Sequence, residues 1–198
     1  MRKLKKNFYQ IKKKYLSFLK KQEITGEPFY DKLGQLEKFY IPICIKINEI
    51  YTKKKRLLIL GLAGGQGSGK STIAKILSII LKQQYNLKVL NISIDDYYKS
   101  LADRKKMTKF NDLFLTRGVP GTHDAPLLNK HLKFLKKKRP GSLLLPKFDK
   151  SQDDRMSKKH WKKVKNKFNI IIFEGWCVGA AHEKLKNLKK PINILERH

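Results

Sequence analysis

The sequence predicts an α/β protein, a three-layer α/β/α arrangement around a mostly parallel sheet, preceded by N-terminal helices. Three observations carry that expectation. Leu57-Leu58-Ile59-Leu60 is a short apolar run ended by glycine, as in a strand buried on both faces. Lys70 to Gln83 puts Ile73, Ile76, Leu77 and Ile80 on one helical face, and Leu87 to Ile94 then alternates with the period of a strand. Strand, glycine-rich turn, helix and strand make a βαβ unit, whose two strands run parallel.

Before that unit, residues 1–55 read as a helical extension, and residues 56–198 as the main domain. Leu4, Phe8, Ile11, Tyr15, Phe18 and Leu19 recur at helical spacing in a segment without an acid until Glu23. Such a basic amphipathic stretch predicts a helix laid against the core. Its alternatives are a membrane-surface helix or a transit peptide, and the scarcity of Ser and Arg weighs against the latter. Gly26 and Pro28 punctuate the extension, and a second amphipathic stretch runs from Tyr30 to Tyr51 with a break expected near Pro42. Lys53 to Arg56 is a basic hinge into the core.

After the unit, Asp124-Ala125-Pro126 announces a helix, with Asp as cap and Pro in the first turn. Leu143 to Leu145 reads as a short strand stopped by Pro146. Phe168 to Phe173 is the most apolar strand of the second half and closes on Glu174-Gly175-Trp176. No internal repeat is visible.

Composition narrows the functional class. The 198 residues are 40% hydrophobic with ten Phe, eight Tyr and two Trp, enough to pack a core. Charge is lopsided, with 46 Lys+Arg against 16 Asp+Glu, a formal +30. That excess would attract nucleic acid, anionic membrane or phosphorylated metabolites. It is nearly all Lys; only Arg2, Arg56, Arg104, Arg117, Arg139, Arg155 and Arg197 carry the planar fork that reads phosphates and bases. A Lys excess spread along the chain favours a solvated surface. A basic nucleic-acid-binding NTPase is the rival class, and no helix-turn-helix, zinc or RNP signature supports it. Cys44 and Cys177 lie far apart without metal-ligand spacing, which implies a reducing compartment. With neither a signal-peptide stretch nor a run of about 18 apolar residues, the expected location is cytoplasmic.

The chemistry begins at Gly64-Gly65-Gln66-Gly67-Ser68-Gly69-Lys70-Ser71, which fits G-x-x-x-x-G-K-[ST] in full. Glycines let successive backbone N–H groups point at phosphate oxygens, and the helix that starts at Lys70 adds its positive end. Lys70 is expected at the β- and γ-phosphates of ATP, the Ser71 hydroxyl at Mg²⁺, and Thr72 at the α-phosphate. The surrounding strand and helix make this a P-loop NTPase-type domain. A P-loop alone does not separate kinases from motors, transporters or switches.

Two strand ends help. Ser93-Ile94-Asp95-Asp96-Tyr97-Tyr98 places two carboxylates and two aromatics where a strand leaves the sheet, the edge that faces the ligand in open α/β sheets. A carboxylate there can take a proton from an attacking hydroxyl or hold Mg²⁺ through water. Glu174 ends its strand in the same way. On the acceptor side the residues say less. Arg117, His123 and Arg155 could pair with an anionic acceptor. Asp124 is either a hydroxyl partner or the helix cap, and His123 is either a ligand contact or part of its turn. Trp176 and Phe148 read as wall and core, Lys147 and Lys150 as ordinary surface charges.

Gly-Gly-Gln-Gly-Ser-Gly-Lys-Ser-Thr, Ser-Ile-Asp-Asp-Tyr-Tyr, Arg117-Gly-Val-Pro-Gly-Thr-His-Asp, Leu145-Pro-Lys-Phe-Asp-Lys-Ser and Phe173-Glu-Gly-Trp-Cys-Val-Gly occur in that order. The series resembles the D-glycerate 3-kinase family of P-loop kinases, relatives of phosphoribulokinase, uridine kinase and pantothenate kinase, over about Phe39 to Glu196. The resemblance implies transfer of the ATP γ-phosphoryl group to a hydroxyl of a small acceptor, with D-glycerate to 3-phosphoglycerate as the type reaction. It assigns Asp95 as the Mg²⁺-linked carboxylate and base, and Glu174 as the acid after the Walker B-like strand. In it the stretch Pro146 to Arg155, which includes Asp149, keeps the spacing of the acceptor-binding stretch in uridine kinases, with Asp153 where those enzymes carry His; Asp96 and Tyr98, at the end of the second strand, are read as further acceptor residues. Members of that family continue past the Glu174 strand with lid and closing elements, so the resemblance implies a truncated chain.

Overall fold

The computed structural model describes residues 2–23, 28–137, 140–181 and 191. The predicted break at Gly26, the side chain of Leu4 and the segment 192–198 lie outside the described residues.

The sheet follows from the apolar runs. β7 (Ile170–Gly175) lies between β1 (Leu58–Ala63) and β2 (Val89–Ser93), and both pair with it in parallel. Alternation along these strands feeds two cores. Ile170, Ile172, Leu58 and Leu60 join one, and Ile171, Ile59, Leu90 and Ile92 join the other.

The first core is closed by helices. α4 (Lys70–Tyr85) buries Ala74, Ile76, Leu77, Ile80 and Leu81 against the sheet. α1 (Arg2–Lys20) packs on α4 and buries Ile11, Tyr15 and Leu19, as its apolar stripe predicts. Tyr15 also donates its hydroxyl to the Lys32 carbonyl at 2.8 Å. Next come α2 (Lys32–Gln35), a wide π turn (Leu36–Tyr40) and α3 (Ile41–Lys54). Pro42 therefore does not break the stretch as expected. The Ile41 N–H reaches back to the Leu36 carbonyl, and this wider turn absorbs the N–H that proline lacks.

The second core lies under α6 (Ala125–Lys136), which contributes Leu135. The strand expected at Leu143 to Leu145 forms as β3 (Ser142–Leu145), but its partner is β6 (Lys162–Lys165), antiparallel and apart from the main sheet. Leu145 and Val164 from this pair complete the layer. Helices on one face, the parallel sheet, and α6 with the β3–β6 pair on the other make the predicted three layers. α5 (Leu101–Met107) and a two-residue pair, β4 (Phe148–Asp149) with β5 (Asp154–Arg155), sit beyond the carboxyl end of the sheet.

Candidate active site

The register of the sheet sets the site. Glu174 pairs with Leu62 on one side and Ser93 on the other, so all three strands deliver their carboxyl ends to one edge. That edge opens into a cavity of about 1290 Å³.

At one end lies the glycine loop between β1 and α4. Gly69 caps α4 in the left-handed region, φ 76 and ψ 15. A Cβ on Gly64 would lie 2.8 Å from the Ser68 hydroxyl, which donates to the Gly65 carbonyl. The Lys70 ammonium folds back onto the same carbonyl, so the loop's cation rests on its own backbone. Gln66, Gly67, Gly69, Lys70, Ser71 and Thr72 line the cavity, while Gly64, Gly65 and Ser68 shape the loop behind them.

Ser71 Oγ donates to Glu174 Oε1 at 2.9 Å, across 103 residues of sequence. Glu174 is 6% exposed. After β2 the chain turns through a 3₁₀ segment, Ile94–Tyr97, tied by the Asp95 N–H to Ser93 Oγ. That turn sends Tyr97 into the core, where its hydroxyl meets His131 Nδ1 at 3.0 Å, and leaves Asp95 and Asp96 at the cavity. Lys150 donates to Asp95 at 2.8 Å, and Asp96 accepts from the Phe148 N–H and the Lys147 ammonium, both at 3.2 Å.

Among the described residues no group of three or more His, Cys, Asp or Glu could hold a metal. Ser71, Glu174 and Asp95 nevertheless suit Mg²⁺, which is held by one or two carboxylates and hard oxygens and takes its remaining ligands from water and phosphate.

The far wall holds Tyr98, Leu115, Thr116, Arg117, Phe148, Asp153 and Trp176. Asp96, Tyr98 and Arg117, read from the sequence as acceptor residues, line the cavity. Four other expected acceptor residues stand outside its lining and make the scaffold behind it. His123 stacks on Tyr98, ring centroids 4.1 Å apart, and burial pushes its pKa below the ordinary 6.5. Asp124 accepts from the Leu127 N–H as helix cap and from Arg155 Nη1 at 3.0 Å. Arg155 also donates to the Tyr98 carbonyl. Asp149 accepts from Ser151 and Gln152, and those bonds lower its carboxyl pKa.

Sequence reasoning missed Lys147 and Lys150, which meet the two aspartates here. It also missed Arg104, buried within α5 and bonded to Asp153. A Lys-Phe-Asp-Lys run and an Asp-Arg-Lys-Lys run look like surface in a chain this basic, so no local signal marked them.

The profile of the Phosphoribulokinase / Uridine kinase family matches residues 59–190. The chain belongs to that family. Among curated members of similar sequence, the "Uncharacterized kinase mug58" of Schizosaccharomyces pombe is 39% identical over 132 residues, covering 63% of this chain and 47% of that protein. The chloroplastic D-glycerate 3-kinase of Arabidopsis thaliana is 32% identical over 131 residues, covering 62% of this chain and 28% of that one. The solved D-glycerate 3-kinase of Cryptococcus neoformans var. grubii superimposes with a TM-score of 0.65 at 26% identity, over 76% of this chain and 56% of that one. The chain therefore spans less than half the length of these two curated relatives. The matched region holds the P-loop and the Glu174 strand. No helix among the described residues is long and apolar enough to cross a membrane.

Proposed function

We propose that this chain is an ATP-dependent kinase that transfers the γ-phosphoryl group to a hydroxyl of a small anionic metabolite, D-glycerate foremost, in the cytoplasm. Residues 56–198 would carry the site, with 1–55 as a helical extension. The observation that carries this reading is that one cavity is lined by the phosphate loop, by Asp95, Asp96 and Glu174, whose carboxylate accepts from Ser71 of the loop, and by Arg117.

ATP phosphates would lie on the loop amides, and the Lys70 ammonium would exchange the Gly65 carbonyl for phosphate oxygens. Ser71, Glu174 and Asp95 would hold Mg²⁺, which when bound neutralises phosphate charge. Asp95 takes the proton of the acceptor hydroxyl, while Lys150, 2.8 Å from it, supplies a cation beside the transferring group. Arg117 pairs with the anionic group of the acceptor. The protein's share of catalysis is orientation and charge stabilisation, because phosphoryl transfer needs little covalent chemistry from it.

The test is ADP release from Mg-ATP with a panel of hydroxylated acceptors. D-Glycerate-dependent turnover that falls by about 10²-fold or more in Lys70→Ala is expected. Turnover with a nucleoside or another sugar acid instead would keep the kinase and discard the glycerate assignment. ATP binding with no acceptor-dependent turnover would refute the reading.

A further inference from the structure

The far wall of the cavity is organised by a side chain that does not reach it. Arg104 is 0% exposed, on a short helix that carries no motif. Its Nη1 donates to the Leu115 carbonyl at 2.6 Å, and its Nη2 donates to Asp153 Oδ2 at 2.9 Å and to the Asp153 carbonyl. Its Nε finds no partner among the described residues. Asp153 sits at φ 49, in the left-handed region that aspartate tolerates better than most residues. The other carboxylate oxygen, Oδ1, accepts from Arg117 Nη1. Both guanidinium groups lie near the Phe148 ring, 5.9 Å from its centroid for Arg104 and 5.8 Å for Arg117.

Two consequences follow. Arg104 is bonded at Leu115, two residues before Arg117, and at the carboxylate that holds the Arg117 guanidinium. It therefore constrains both the backbone approach and the side chain of Arg117. One carboxylate between two guanidinium groups also leaves one net positive charge on this wall, and Arg117 is the member of the pair that lines the cavity. Burial pushes the Asp153 carboxyl up, but the hydrogen bonds and charges of the two arginines outweigh it and hold the pKa below the ordinary 3.8. The wall is thus charged in this way at neutral pH.

We propose that Arg104 is a positioning residue: through Asp153 and the Leu115 carbonyl it holds Arg117 as the receptor for the carboxylate of a hydroxy monocarboxylic acceptor. This rests on the reading of the far wall as the acceptor end of the cavity. It assigns the choice of acceptor to a buried ion-pair relay in which a neutral polyol finds no partner and a monoanion supplies the missing charge.

The test measures D-glycerate binding to the full chain by calorimetry with ADP present, which needs no turnover, alongside steady-state kinetics and thermal melting. Glycerol is the neutral control. Losing the relay should weaken D-glycerate binding by about tenfold or more in Arg104→Gln and Arg117→Gln, as expected for a lost charge-assisted contact. ADP affinity should stay within about twofold, and glycerol should bind no variant better than the wild type. Arg104→Lys keeps the charge but not the fork; it should fold where Arg104→Gln fails and should still lose most of the D-glycerate affinity. A purely structural role would lower the amount of active protein without changing acceptor affinity or KM. Unchanged D-glycerate affinity in a folded Arg104 variant would overturn the inference and leave the kinase reading intact, as would wild-type protein that turns over D-glycerate and glycerol equally well. Binding that is lost in the Arg104 variants, with no ATP turnover in the wild type, would support the relay and sink the kinase.

Discussion

Two glycines within the phosphate loop, Gly65 and Gly69, allow a test in which only the backbone conformation differs. Among the described residues, an added Cβ meets nothing within 4 Å at either Gly65 or Gly69. Gly69 has φ 76, whereas Gly65 is outside the positive region. Gly69→Ala therefore bears the left-handed penalty of about 1–2 kcal/mol and no clash. Gly65→Ala bears neither, and by restricting the unfolded chain it should stabilise by about 0.4–1 kcal/mol. The unfolded-chain gain is common to both substitutions, so the variants should differ by the left-handed penalty alone, roughly 1–2 kcal/mol. At about 2–4 °C per kcal/mol for a chain of this size, that is a gap of about 2–8 °C in Tm. Nucleotide-free protein followed by circular dichroism, with guanidinium melts as a second measure, reads it directly. The loop geometry would be refuted by a Gly69→Ala protein that melts with or above Gly65→Ala. Gly64 should fail differently, since its Cβ must displace the Ser68 hydroxyl 2.8 Å away.

Two further outcomes concern stability. Tyr15→Phe keeps the ring in the core and loses the bond to the Lys32 carbonyl, about 0.5–1.5 kcal/mol. Tyr15→Ala should lose about 3–5 kcal/mol, and a loss below about 1 kcal/mol in chemical denaturation would mean that α1 does not dock on α4. Acid should weaken the fold in two stages. Burial lowers the pKa of His123 and His131 from 6.5, so as pH falls the unfolded chain takes up protons that the folded chain refuses. Stability is full above 6.5 and declines as pH falls toward the lowered folded-state values. Asp149 and Asp153, held below 3.8, add a second decline as pH falls through their folded-state values. Denaturation midpoints from pH 8 to 3 check both stages, and stability that rises from pH 7 to 5 would contradict the first.

What a short stretch of sequence can encode was legible. The phosphate loop is contiguous, so Gly64 to Thr72 announces a turn, a helix start and an anion cradle together. The apolar runs at Leu57 to Leu60 and Phe168 to Phe173 each need burial on both faces, which only a covered parallel sheet provides. Asp124 caps its helix because an Asp before Ala-Pro satisfies the first free N–H groups wherever it occurs. The stripe Ile11, Tyr15 and Leu19 required a partner, and α4 supplies it.

Partnerships between distant residues were decided by the tertiary structure. Nothing near Leu143 to Leu145 shows that the strand pairs antiparallel with Lys162–Lys165 outside the main sheet. Pro42 marked a perturbation, but packing turned it into a π turn within a continued helix. Arg155 and Asp124 looked available to a ligand until their separate chain segments met and paired with each other. Lys147, Lys150 and Arg104 carried no signal because lysine and arginine abound in this chain, and only the fold sets three of them against Asp96, Asp95 and Asp153. The physical reason is one of range. Helix caps, glycine turns and hydrophobic period act within a few residues and survive in a linear reading. Charge pairing and burial depend on distances through space that the chain acquires only when the layers close.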